Sequence, residues 1–160
     1  VSSDLCCSPE VHRNQRVAHG VDQLQKFHYI IIPGSYYDEL PWKLECPKLE
    51  LLVFGNYDHH VKFPHNFFSG MRPLRTLLIG GMAFTPSLSP SLDFLTSLRS
   101  LILCDSNLGD IRVVAKLTNL EILSLEKSII QELPKEIGHL THLRLLSLAN
   151  CSELRVIPTN

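Results

Sequence analysis

One pattern, repeated along the chain, decides most of what it can fold into. Aligned on Leu-x-x-Leu-x-Leu, the sequence holds five copies: Leu49-x-x-Leu52-x-Phe54, Leu74-x-x-Leu77-x-Ile79, Leu98-x-x-Leu101-x-Leu103, Leu120-x-x-Leu123-x-Leu125 and Leu143-x-x-Leu146-x-Leu148. Their starts lie 25, 24, 22 and 23 residues apart, and a weaker copy, Phe27-x-x-Ile30-x-Ile32, precedes the first by 22. Leucine is concentrated accordingly, with 24 of its 28 occurrences from Leu49 onward. A lone apolar unit cannot bury its face, whereas stacked units share one continuous core.

The period lies in the leucine-rich-repeat range of about 20–29 residues. Within each copy, alternate residues point to opposite sides of a short strand. Leu123 and Leu125 therefore face inward while Ile122 and Ser124 face outward. The fold class that follows is α/β: a leucine-rich-repeat solenoid with a curved parallel sheet on its concave side. Short helices, turns and coil form its convex side. Six strands about 4.8 Å apart make a sheet roughly 25 Å long. The core is expected from Leu49, Leu52, Leu74, Leu77, Leu98, Leu101, Leu103, Leu120, Leu123, Leu125, Leu143, Leu146 and Leu148.

The return segments differ from unit to unit. Asp110 suits the N-cap of a longer helix, with Ile111, Val114 and Leu117 on its inner face. Pro134 suits the start of a single turn through Gly138. Thr85–Ser91, with two prolines and four hydroxyl residues, reads as irregular coil. The turn position usually filled by Asn or Cys holds Tyr57, Met82, Ser106, Ser128 and Cys151. No continuous asparagine ladder is expected, and Ser106 and Ser128 are left to bond the backbone more weakly. Residues 1–20 match no repeat and read as a linker or degraded lead-in. Residues 21–160 form the repeat domain, about six repeats cut off inside the sixth. Such an end leaves the last strand uncovered, so the piece is expected to associate with itself.

Charge and composition narrow the partners. Fifteen basic and 16 acidic residues give a net charge of −1, which removes the bulk electrostatic case for nucleic acid or anionic membrane. Ile30-Ile31-Ile32 is far too short to span a bilayer. The chain begins at Val1 without Met and its first residues lack a signal-peptide apolar run, which suggests a piece of a larger cytoplasmic protein. Five cysteines without a C-x-x-C pair fit a reducing compartment.

No catalytic, cofactor or metal site emerges from spacing. His59, His60 and His65 sit close in sequence, and His139-x-x-His142 lies near Cys151. They read either as metal ligands or as solvated rim residues, and zinc needs three or four converging ligands. Nucleotide-loop and nucleophile-elbow motifs are missing, and Cys104 has no basic neighbour to activate it. The candidate site is instead the outward strand face: Leu51, Val53, Thr76, Leu78, Ser100, Ile102, Ile122, Ser124, Glu126, Leu145 and Ser147. Its apolar strip is edged by Glu50, Arg75, Arg99, Glu121 and Arg144. That composition fits a protein-binding surface, and equally a sheet that simply uses β-branched and leucine residues outside.

The runs Glu39–Leu52, Phe63–Met82 and Leu108–Asn160 resemble the repeat region of plant intracellular disease resistance proteins. These are the coiled-coil, nucleotide-binding, leucine-rich-repeat immune receptors. LPxEIGxLxxLRLLxLxxC, at Leu133–Cys151, is the most specific part. Extracellular plant repeats favour Gly and Ile-Pro after the strand turn, where this chain has Ile130-Gln131-Glu132-Leu133-Pro134. The resemblance implies a repeat domain that senses a pathogen effector or a guarded host protein. It also implies restraint of the receptor's own nucleotide-binding module in cis. ADP or ATP would belong to that module, because no phosphate-binding loop occurs here and Val11-His12-Arg13 is not a Met-His-Asp motif. The alternative is a generic intracellular repeat scaffold of a signalling complex.

Overall fold

The computed structural model describes residues 24–32, 43–55, 63–84 and 87–158. The proposed lead-in at 1–20, Tyr57, His59 and His60 lie outside the described residues. Six parallel strands form one sheet in sequence order: β1 (Tyr29–Ile32), β2 (Leu51–Gly55), β3 (Thr76–Gly80), β4 (Ser100–Cys104), β5 (Ile122–Ser124) and β6 (Leu145–Ser147). Pairing follows the repeat without slippage, so Ile30, Leu52, Leu77, Leu101, Leu123 and Leu146 form one inward row. A slip of one residue would turn every leucine toward solvent, which is why the leucine pattern fixes the register.

From Leu49 to Leu125 the expected core is buried, with Leu52, Leu77, Leu101 and Leu123 all at 0% exposure. The last repeat departs from the expectation. Leu146 is 39% exposed, and Leu143 and Leu148 are only partly buried. Their inner neighbours are covered by a following strand, and no described strand follows β6. Leu145, Val156 and Ile157 add exposed apolar area at the same end. Self-association at this end is the expected behaviour of the 160-residue polypeptide, read by light scattering; a monodisperse monomer at high concentration contradicts it.

The convex side is built from 3-10 turns at Phe67–Ser69, Pro90–Phe94, Arg112–Lys116 and Lys135–His139. The longer helix expected after Asp110 is therefore a single tight turn. The reason is in the spacing: Ile111, Val114 and Leu117 recur every three residues, the period of a 3-10 helix, and all three are buried. Pro90 and Ser91 likewise open a turn rather than lie in coil, with Ser89 Oγ accepting from the Ser91 N–H. Asp110 still caps locally, since its Oδ1 accepts the Arg112 N–H at 2.9 Å.

Where asparagine is missing, serine closes the strand turns. The Met82 N–H donates to Ser106 Oγ at 3.1 Å, and the Ser106 N–H donates to Ser128 Oγ at 3.2 Å. Ser106 Oγ donates to the Cys104 carbonyl at 2.8 Å, and Ser128 Oγ to the Leu103 carbonyl at 3.0 Å. Cys151 Sγ continues the series to the Leu125 carbonyl at 3.0 Å. Both serines are fully buried, so these bonds have no water to replace them. Ser128→Ala is expected to cost about 1–3 kcal/mol by denaturant unfolding, because it strands a buried N–H. A loss within about 0.5 kcal/mol, the range of ordinary surface changes, would show the ladder to be incidental. The preceding residues, Gly81, Asp105, Lys127 and Asn150, all adopt positive φ, so the turn recurs in the four units from β3 to β6.

Candidate functional site: the outward strand face

Three outward columns run across the sheet. Tyr29, Leu51, Thr76, Ser100, Ile122 and Leu145 form the first, and Ile31, Val53, Leu78, Ile102, Ser124 and Ser147 the second. The third holds Gly55, Gly80 and Cys104 in the longer strands. Tyr29 (67% exposed), Ile31 (55%) and Leu145 (51%) are the most open apolar members. The second column changes character between β4 and β5, from aliphatic residues to Ser124 and Ser147.

Ser124 corrects the expectation for this face, because it is buried at 8% exposure. Strand alternation gives the direction of a side chain but not its depth. The register seats this short hydroxyl between Ile102 and Ser147, below the level of its neighbours. Glu126 is exposed and its Oε1 accepts from Ser147 Oγ at 2.7 Å. In the third column a side chain on Gly80 would sit 3.3 Å from Cys104 Sγ, while the space around Gly55 is open.

The charged edge is a true column. The Arg75 N–H bonds the Glu50 carbonyl, Arg99 that of Arg75, Glu121 that of Arg99, and Arg144 that of Glu121. Arg99 Nη1 and Glu121 Oε1 form an ion pair at 2.8 Å. Among the described residues, Arg75 and Arg144 have no carboxylate within ion-pair distance. Beside this column runs a groove of about 470 Å³, walled by Pro73, Ser97, Asn119 and His142 and by Glu50, Arg75, Arg99 and Glu121, while Arg144 continues the column past its end. Each wall residue immediately precedes the first leucine of its repeat. Two of them tie neighbouring repeats together: Asn119 Nδ2 donates to the Thr96 carbonyl at 2.9 Å, and His142 Nδ1 lies 3.0 Å from that of Thr118. Thr-x-Leu precedes β4, β5 and β6 but not β2 or β3, so the sequence marks part of these walls and not the groove they form.

Among the described residues no three His, Cys, Asp or Glu side chains gather to hold a metal. Burial, reinforced by Glu45, pushes the Cys46 thiol up to about 11. Burial also raises the Cys104 thiol, with Asp105 adding to it. Both are poor nucleophiles at neutral pH. No described helix is long and apolar enough to cross a membrane.

No family model and no curated protein matches the chain. Solved structures that share its architecture include the following two. The leucine-rich-repeat protein LIC12759 of Leptospira interrogans superposes with a TM-score of 0.60 at 16% identity, over 90% of this chain and 51% of that one. The plant peptide hormone receptor RGFR1, solved in complex with RGF2, gives 0.55 at 15% identity, over 88% of this chain and 29% of that one. The chain therefore spans about half of the first and under a third of the second. These likenesses define the class: the protein has a leucine-rich-repeat solenoid fold, and the outward columns line its concave side.

Proposed function

We propose that this chain is the repeat domain of a plant intracellular immune receptor and works by binding protein on its concave face. It recognises a pathogen effector or a guarded host protein, and it restrains the receptor's nucleotide-binding module in the resting state. One observation carries the binding reading: inward strand positions are almost uniformly leucine or isoleucine, while outward ones range from Gly80 to Glu126. Inward residues must fit a shared core, whereas outward ones are free to be set by a partner. The receptor RGFR1, whose repeats are solved with the peptide RGF2, supports protein or peptide as the partner class. The Leu133–Cys151 motif supports the immune-receptor branch and, with it, a cytoplasmic location.

The coding sequence upstream of Val1 tests the receptor reading directly. A nucleotide-binding module with a Walker lysine loop is expected there. Finding only further repeats there, and no such module, would remove the receptor reading. A generic signalling scaffold would then be the better account of the same binding face.

A further inference from the structure

The charged edge column narrows the chemistry of the partner, an inference that rests on the binding reading above. Along the column the charges run Glu50, Arg75, Arg99, Glu121, Arg144. The middle pair satisfies itself through the Arg99–Glu121 bridge. That leaves Arg75 and Arg144 as the cations with charge to offer. They flank β3 and β6, three strand spacings apart, roughly 14 Å. An extended polypeptide advances about 3.4 Å per residue, so it covers that span in four residues. Because four is even, the side chains at its ends lie on the same side. The two intervening odd positions turn to the other side, toward Ser100 and Ile122 of the first outward column, and Ile122 is 38% exposed.

We infer that the charged edge column takes an extended acidic segment of a protein partner, with carboxylates four residues apart on Arg75 and Arg144 and an apolar side chain between them on Ile122. Glu50 and Glu121 in the same column disfavour a uniform polyanion such as nucleic acid, which places phosphates at every step. They also limit the register, since a shift by one strand toward β2 sets the two carboxylates against Glu50 and Glu121.

The test uses the 160-residue chain and short synthetic peptides read by fluorescence anisotropy. The probe is centred on Asp-Leu-Ser-Leu-Asp; the controls replace both aspartates by lysine or place them side by side. The spaced acidic peptide is expected to bind at least about tenfold more tightly than either control, and to weaken as salt rises. Arg75→Glu with Arg144→Glu should reverse the preference toward the lysine peptide. Arg75→Gln with Arg144→Gln should abolish it, with circular dichroism confirming the fold in both. No preference in the wild-type chain, no binding up to about 1 mM, or a preference unmoved by these variants overturns the inference. Ile122→Ser with Leu145→Ser separates the two layers of argument. If that pair removes peptide binding while the arginine variants do not, the face binds protein and the edge assignment alone is wrong.

Discussion

Phe67→Ala is expected to be the most damaging single change in the molecule, lowering unfolding stability by about 3–5 kcal/mol. Phe67 is fully buried in a cluster that the repeat motif does not contain. Phe63 sits at its centre, with ring centroids 5.1 Å from Phe54, 4.9 Å from Phe67, 5.1 Å from Phe68 and 5.9 Å from Phe84. Phe67 and Phe68 meet edge to face at 5.0 Å, the arrangement the ring quadrupoles favour. These rings fill the space between the Leu49 and Leu74 repeats, where the period is longest. Phe27, at 49% exposure, is the internal control, and its replacement by alanine should stay near 0.5 kcal/mol. Comparable losses at the two positions, by urea unfolding, would mean that the cluster does not hold these repeats together.

Leu123→Ala is expected to cost about 2–5 kcal/mol, against about 0.5 for Glu121→Ala two residues away. Leu123 is fully buried, with Leu101 on one side and Leu146 on the other. In a solenoid each repeat contacts only its neighbours, so this loss loosens β6 as well as β5. Equal losses at the two positions would overturn the inward assignment of the strand.

The two residues also mark how far the sequence is readable. Leu123 faces inward because alternation and a 22–25-residue period leave one consistent stacking, and the whole sheet register follows from that. The weak first copy, Phe27–Ile32, belongs to the sheet for the same reason. Depth and return geometry were less legible. The spacing of Ile111, Val114 and Leu117 fits one face of an α-helix nearly as well as a 3-10 turn, and the short return settles it. Ser124 was read as surface because direction is periodic while depth depends on the neighbours' size. The phenylalanine cluster joins residues from several repeats and leaves no local period. On the candidate site, the charged column was visible in the residue after each first leucine. The groove beside it was not, because its walls depend on how the preceding turns stack.

The concave face as working surface is tested, on the proposed receptor reading, by substitution on the two sides of the solenoid in the full-length protein. One variant replaces Ile102, Ile122 and Glu126 together by alanine; none of these fills the core. The other reverses the charges of Arg112 and Lys116 on the convex turns, where they pair with Asp110 and Asp93. With folding confirmed for both, signalling is measured with and without the triggering effector. The concave variant is expected to change effector-triggered signalling or resting-state restraint, and the convex variant neither. Unchanged outputs in the concave variant, with disruption in the convex one, would move the function to the convex side and contradict the account.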